Sequence, residues 1–231
     1  NESPLREGLM WVGSDDGLLH LTQDGGVSWK NVTPLNMPKW LMINSIEPSP
    51  FDPAVCYVAG TLYKTGDFKP YLYKTTDYGI TWSIITKGIS SEHFTRVLRA
   101  DPEKKGLLYT GTETGMYISH DDGKTWHPFQ LNLPIVPVTD LTIKDNSLIV
   151  ATQGRSIWIL DDLTVLHQID KNTASEPIKL FKPKDSYRTQ GSYTESSLTE
   201  GTNLPNGVII HFNLKDFNKE KDTVALHFKE E

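Results

Sequence analysis

The sequence predicts an all-β chain: about four repeated units of short strands, followed by the start of a β-sandwich-like region. Three observations carry that prediction. The apolar runs are short, rich in β-branched and aromatic residues, and bounded by Gly, Asp, Asn or Pro, as at residues 9–12, 55–58, 107–109, 148–150 and 156–160. No stretch before Leu166 keeps a 3.6-residue apolar period. One eight-residue pattern recurs three times.

The first copy is Thr22-Gln23-Asp24-Gly25-Gly26-Val27-Ser28-Trp29. The second is Thr75-Thr76-Asp77-Tyr78-Gly79-Ile80-Thr81-Trp82, and the third Ser119-His120-Asp121-Asp122-Gly123-Lys124-Thr125-Trp126. Their Asp residues stand at 24, 77 and 121, so the copies lie 53 and 44 residues apart, which suits a four-stranded propeller blade. Each residue type has a folding task. The Asp carboxylate accepts backbone N–H groups of its own turn. Gly26, Gly79 and Gly123 supply a positive φ. Trp29, Trp82 and Trp126 bury a ring between sheets. Asp24, Asp77 and Asp121 are therefore read as structural rather than catalytic.

The remaining elements follow in order. Before each box stand two strand-like runs joined by a tight turn, such as 9–13 and 18–21 around Ser14-Asp15-Asp16-Gly17. An earlier strand precedes these at 43–47, 95–100 and 139–143, giving a blade order A, B, C, box turn, D. The first repeat has too few residues ahead of Leu9 for its own strand A. Residues 138–169 repeat the layout, but the box has decayed to Asp161-Asp162-Leu163-Thr164. Blades therefore occupy residues 1–169, as a closed ring of four or, preferred, an arc of a larger ring. Residues 170–206 read as a linker, and 207–231 as the first strands of a C-terminal β-domain, with runs at 207–214 and 223–229.

Composition narrows the function classes. Among 231 residues, 37% hydrophobic and 23% charged is the profile of a globular chain, and no apolar run approaches a membrane span. A net charge of −6 argues against nucleic acid as a partner. The single Cys56 allows no intrachain disulfide and lies in an apolar run, as a buried small hydrophobe would. None of the seven His residues has a metal-ligand spacing, and the sequence calls for no cofactor and no metal. No signal peptide is visible, and the start reads as a cut.

The three boxes resemble the Asp-box, or BNR repeat, of β-propellers that include sialidases, xyloglucanases, sortilin-type receptors and photosystem assembly factors. The resemblance covers residues 8–169. A narrower likeness begins at Val150-Ala151-Thr152-Gln153-Gly154-Arg155-Ser156-Ile157-Trp158 and runs to Leu163. It resembles the last blade of large bacterial proteins with a sortilin-type propeller, often labelled glycosyl hydrolase. Leu180-Phe181-Lys182-Pro183 and the segment 201–207 are similar to the junction and first strand of their C-terminal domain. This resemblance implies an exported bacterial protein much longer than this chain, and no particular activity.

In such a fold the box turns share one face, while the B–C turns and D-to-A connections share the other, where ligands are expected. That face would carry Asp15, Asp16, residues 61–70, Glu113 and Arg155, with 36–42, 90–94 and 131–137 between blades. The binding candidates are Lys39, Trp40, Lys64, Asp67, His93 and Arg155. Trp40 and Met42 also suit a wedge between blades. Residues 61–70, read as a long loop, account for the wider spacing between the first two boxes.

A sialidase needs three clustered arginines, but Arg6 and Arg188 lie outside the blade strands, and Arg96 and Arg99 are oddly spaced on one strand. A glycosidase needs two carboxylates at a set separation, one with a raised pKa. Asp15, Asp16, Glu113 and Asp140 are the catalytic candidates, with Glu92 in the same pool. The leading expectation is a non-catalytic module binding a protein, peptide or glycan, and the alternative is a glycoside hydrolase.

Overall fold

The computed structural model describes residues 1–186, 207–218 and 220–229. The expected run 201–207 and Arg188 lie outside these, except for Gly207. The chain divides into two compact units, Asn1–Asp161 and Asp162–Glu231.

The first unit holds four antiparallel sheets in chain order. Blade 1 is β1 (Met10–Gly13), β2 (Leu19–Thr22) and β3 (Lys30–Asn31). Blade 2 is β4 (Met42–Pro48), β5 (Cys56–Leu62), β6 (Asp67–Thr75) and β7 (Ser83–Ile84). Blade 3 is β8 (Thr95–Ala100), β9 (Leu108–Thr112), β10 (Gly115–Ser119) and β11 (His127–Pro128). Blade 4 is β12 (Val138–Lys144), β13 (Ser147–Thr152) and β14 (Ile157–Leu160). Each sheet is a simple meander, as a propeller blade requires. The first strands neighbour one another in turn: β1 with β4, β4 with β8, β8 with β12. Among the described residues no contact of that extent joins β12 to β1. In blade 1 only Glu2 bridges to Met10 where a strand A would lie.

Alternation along β5 explains how the blades stack. Every residue of β5 is buried. Cys56 and Val58 enter a core with Leu9, Trp11, Leu21 and Tyr73, between blades 1 and 2. Tyr57 and Ala59 enter a second core with Leu98, Leu108, Tyr117 and Trp126, between blades 2 and 3. A two-residue period thus serves two neighbouring blades from one strand. Each buried large apolar side chain in these two layers contributes roughly 1.5–3 kcal/mol of burial free energy. Cys56 is the buried, unpaired thiol of the first layer.

The boxes close the C–D turns. In each, the Thr or Ser at the first position accepts the glycine amide, 2.9 Å in all three: Gly26 to Thr22, Gly79 to Thr75, Gly123 to Ser119. The Asp then accepts the amide four residues on, from Ser28, Thr81 and Thr125 at 2.9, 2.8 and 2.8 Å. Its second oxygen accepts the same residue's hydroxyl at 2.5, 2.5 and 2.6 Å.

The tryptophans tie blade to blade. Trp82 Nε1 donates to Val32 O at 2.8 Å, and Trp126 Nε1 to Ile85 O at 2.6 Å. Val32 and Ile85 each follow the last strand of the preceding blade. A Cβ on Gly79 would stand 2.7 Å from Val32, and one on Gly123 2.8 Å from Ile85, so this approach also requires glycine. Trp29 departs from the expectation of a buried ring. It is 44% exposed, because among the described residues no blade precedes the first to receive it.

Residues 61–70 also differ from the expected loop. The β5–β6 hairpin extends to the pair Leu62↔Asp67, with a bulge between Gly60 and Leu62. Only a 3₁₀ turn, Tyr63–Thr65, and Gly66 cap it. The wide spacing of the first two boxes therefore reflects strand extension.

In the second unit, α1 (Thr164–Gln168) is followed by β15 (Ile178–Leu180), which pairs antiparallel with β16 (Phe212–Leu214). Two expectations are corrected. A three-residue strand lies inside the segment read as linker, among the five residues between Pro177 and Pro183, and the Pro177 carbonyl joins the pairing by accepting Lys215 N at 3.0 Å. Of the runs 207–214 and 223–229, only Phe212–Leu214 is a strand. No helix among the described residues is long and apolar enough to cross a membrane.

Candidate functional site

Backbone hydrogen bonds define two faces of the first unit. The box turns meet the A–B turns: Gly25 N donates to Gly8 O at 3.0 Å, Tyr78 N to Ala54 O at 3.1 Å, and Asp122 N to Gly106 O at 2.8 Å. On the opposite face B–C turns meet the starts of A strands. Trp40 N donates to Asp16 O at 3.2 Å, Ile43 N to Ser14 O at 3.2 Å, Glu113 N to Phe94 O at 3.1 Å, and Gln153 N to Pro137 O at 2.9 Å.

This second face holds a cleft of about 260 Å³ lined by Asp15, Trp40, Met42, Thr61, Leu62, Tyr63, Lys64 and Thr65. Three elements meet there. The Ser14-to-Gly17 turn of blade 1 brings Asp15. The connection from blade 1 to blade 2 brings Trp40 and Met42. The 3₁₀ turn capping the β5–β6 hairpin brings Tyr63 and Lys64. Leu41 is fully buried and supplies the inter-blade wedge, which leaves Trp40 69% exposed. Trp40 sits at the third position of a turn in which Leu41 N donates to Pro38 O. Its φ is +67°, a left-handed conformation costly for any residue with a Cβ. Lys64 Nζ lies 3.7 Å from Met42 Sδ across the cleft.

Behind Tyr63 lies an aromatic wall. Its ring stacks on Phe94 at 5.1 Å, and Phe68 lies 6.1 Å from Phe94. The Arg96 guanidinium covers both the Tyr63 and the Phe94 ring, at 5.7 and 5.1 Å. Glu113 holds that guanidinium at 2.6 Å. Sequence reasoning passed over Tyr63, Phe68, Phe94 and Arg96 as members of one cluster. The available signal was two aromatics within residues 61–70, the segment already singled out.

The other expected residues lie apart from the cleft lining. Lys39 is exposed on the same turn as Trp40. The Asp67 carboxylate accepts Lys69 N at 3.0 Å and Tyr71 Oη at 2.7 Å, bonds that hold its pKa low and stiffen the hairpin. His93 Nδ1 shares a 2.8 Å hydrogen bond with the Tyr117 hydroxyl. Arg155 is exposed, and its carbonyl accepts Trp158 Nε1 at 2.8 Å. Asp16 accepts the Ser14 hydroxyl.

Asp140 belongs to a different place. Arg99 on β8 donates through Nη2 to Asp140 Oδ1 at 2.7 Å and through Nε to Leu141 O at 2.8 Å. Its Nη1 donates to Ser45 Oγ at 2.8 Å and lies 3.6 Å from Glu47 Oε2. One guanidinium therefore ties the first strands of blades 2, 3 and 4. Burial pushes the Glu47 carboxyl up to about 7, against the pull of Arg99 and of the Ala100 amide. Among the described residues no group of three or more His, Cys, Asp or Glu side chains could hold a metal.

Comparison with known proteins fits this architecture. Residues 117–128 match the BNR/Asp-box repeat. No curated protein matches the chain. Among solved structures, YCF48 bound to D1 peptide superposes with a TM-score of 0.51 at 22% identity, over 66% of this chain and 48% of that one. The GH74 xyloglucanase from Xanthomonas campestris gives 0.53 at 12% identity, over 68% and 28%. The GH74 enzyme of Niastella koreensis gives 0.51 at 16%, over 65% and 25%. The chain thus spans half or less of the length of these structures, and at such identities the likeness establishes the fold alone. Residues 117–128, within and beside the third box, match a BNR/Asp-box repeat, and the chain's first unit has the fold of a run of β-propeller blades.

Proposed function

We propose that this chain is a non-catalytic binding module of an exported bacterial protein, taking a protein, peptide or glycan on the B–C face. The observation that carries the reading is Trp40. A large indole is held out to solvent at the mouth of a cleft, on a backbone conformation that disfavours it. Strain of this kind persists where the surroundings impose it, and it clusters at binding sites. A protein of the same fold that binds a peptide supports this use of the architecture.

The second reading, a glycoside hydrolase, has one observation in its favour. Glu47, with its pKa near 7, and Asp140 both lie on the Arg99 guanidinium. That guanidinium occupies the space between the two carboxylates where a glycosidic bond would have to sit, which favours the binding role. GH74 enzymes of the same fold keep the alternative worth testing.

The test is to probe peptide and glycan arrays with the whole chain and with Trp40→Gly, then assay any bound glycan for cleavage. Binding abolished by Trp40→Gly, with intact glycan recovered, is the expected result. Cleavage that disappears in Glu47→Gln would replace the binding role with the hydrolase.

A further inference from the structure

The charges lining the cleft say what kind of ligand suits it. Asp15 and Lys64 both border it, and the two form no ion pair with each other or with any other described side chain. A ligand group of one charge satisfies one of them and opposes the other. The neutral lining is equally mixed: Trp40, Tyr63, Met42 and Leu62 beside Thr61 and Thr65. At about 260 Å³ the cleft falls just below the ~300–1,000 Å³ range of drug-sized pockets, so it accepts a single ring or side chain.

We propose that the cleft binds one pyranose ring of a neutral oligosaccharide, its apolar face on the Trp40 indole and its hydroxyls shared between Asp15 and Lys64. The inference rests on the reading of the Trp40 cleft as the binding site. The chemistry matches group by group. A sugar hydroxyl is both donor and acceptor, so one ring donates to the Asp15 carboxylate and accepts from the Lys64 ammonium without adding charge. The C–H face of a pyranose is a flat apolar surface of the kind an exposed indole covers. Lys64 belongs to the 3₁₀ turn of blade 2 and Asp15 to the Ser14-to-Gly17 turn of blade 1, so the two polar arms come to the ring from two different blades.

The experiment titrates the whole chain by calorimetry with cellohexaose, mannohexaose and chitohexaose. Hexagalacturonate serves as the anionic control, and the array-selected peptides as the peptide control. The expected result is binding of a neutral hexasaccharide. Trp40→Gly should weaken it about tenfold or more, equivalent to ~1.4 kcal/mol. Asp15→Asn and Lys64→Gln should each weaken it about two- to tenfold. Thermal midpoints of the variants should stay within a few degrees of the parent, since all three side chains are exposed. Trp40-dependent binding of a peptide, with no neutral sugar bound, would overturn the sugar assignment and leave the binding site standing. Preference for hexagalacturonate would overturn the neutrality of the ligand. Binding of any of these probes unaffected by Trp40→Gly would overturn both the assignment and the site.

Discussion

Trp40 pays for its position in backbone energy. A left-handed conformation costs a residue with a Cβ about 1–2 kcal/mol, and glycine avoids that cost. Trp40→Gly should therefore exceed Trp40→Ala in unfolding free energy by about 1 kcal/mol, read from urea midpoints at equal slopes. Equal stabilities would show that the turn carries no strain. The positive φ at Trp40 was not legible from the sequence, because Trp is among the residue types least expected there. Its exposure was equally open, since Trp40, Leu41 and Met42 compete for one wedge position and only packing selects Leu41.

Glu47 gives a second test on single residues. Its folded pKa of about 7 stands above the ordinary carboxylate value of 4.5. The neutral acid is the form the fold prefers. The stability it contributes is complete below pH 4.5 and is lost as pH rises through 7. Over that window the unit should lose about 3 kcal/mol. Glu47→Gln should flatten the loss in chemical denaturation run from pH 4 to 8. The Asp24 carboxyl has the opposite sign. The Ser28 hydroxyl, then the Ser28 amide and the Thr22 hydroxyl, hold it at about 2, so what it contributes is present above its unfolded value and lost in acid. In Asp77 and Asp121 burial pushes the carboxyl up, but the Thr81 and Thr125 bonds outweigh it and the net shift is downward.

Among the elements, the box is where sequence and fold correspond most directly. Its Ser or Thr, Asp, Gly and Trp are all within eight residues, so local chemistry writes the turn. What the local pattern does not contain is the neighbour. Trp82 and Trp126 bond to carbonyls 50 and 41 residues away, whereas Trp29 has no such acceptor among the described residues. Three copies of one pattern should thus respond differently. Trp126→Ala should cost about 3–5 kcal/mol. Trp29→Ala should stay within about 0.5–1 kcal/mol of the parent. Parallel thermal melts of the two variants decide the point, and equal losses would contradict the inter-blade role. The extended β5–β6 hairpin was harder to foresee. Residues 61–70 contain Gly66 and Pro70, which read as loop, but the bulge at Thr61 lets the pairing continue to Leu62 and Asp67.

For the unit of four blades as a whole, cohesion comes from stacked apolar layers and from polar ties between blades, of which the Arg99 cluster reaches across three. Arg99 joins Ser45 and Glu47 of blade 2 to Asp140 and Leu141 of blade 4. The sequence separations of 41 to 54 residues explain why this cluster was not legible beforehand, and why Asp140 read as a catalytic candidate. Arg99→Met should lower stability by about 2–4 kcal/mol. It should also move the Glu47 transition to higher pH, since Arg99 is the chief influence holding that carboxyl down. The blade count and order were legible because each blade is a local meander. The cleft was legible only in part: Asp15, Trp40 and Lys64 were singled out separately, and three elements had to converge before they formed one site.

The central claim is that ligand meets the B–C face at Trp40. The most direct measurement is amide hydrogen exchange of the chain with and without a ligand selected on the arrays. Protection concentrated at residues 38–43 and 61–67, with none at the box turns 22–29, 75–82 and 119–126, is the predicted result. Protection at the box turns, or along β4, β8 and β12 around Arg99 with residues 38–43 unchanged, would contradict it.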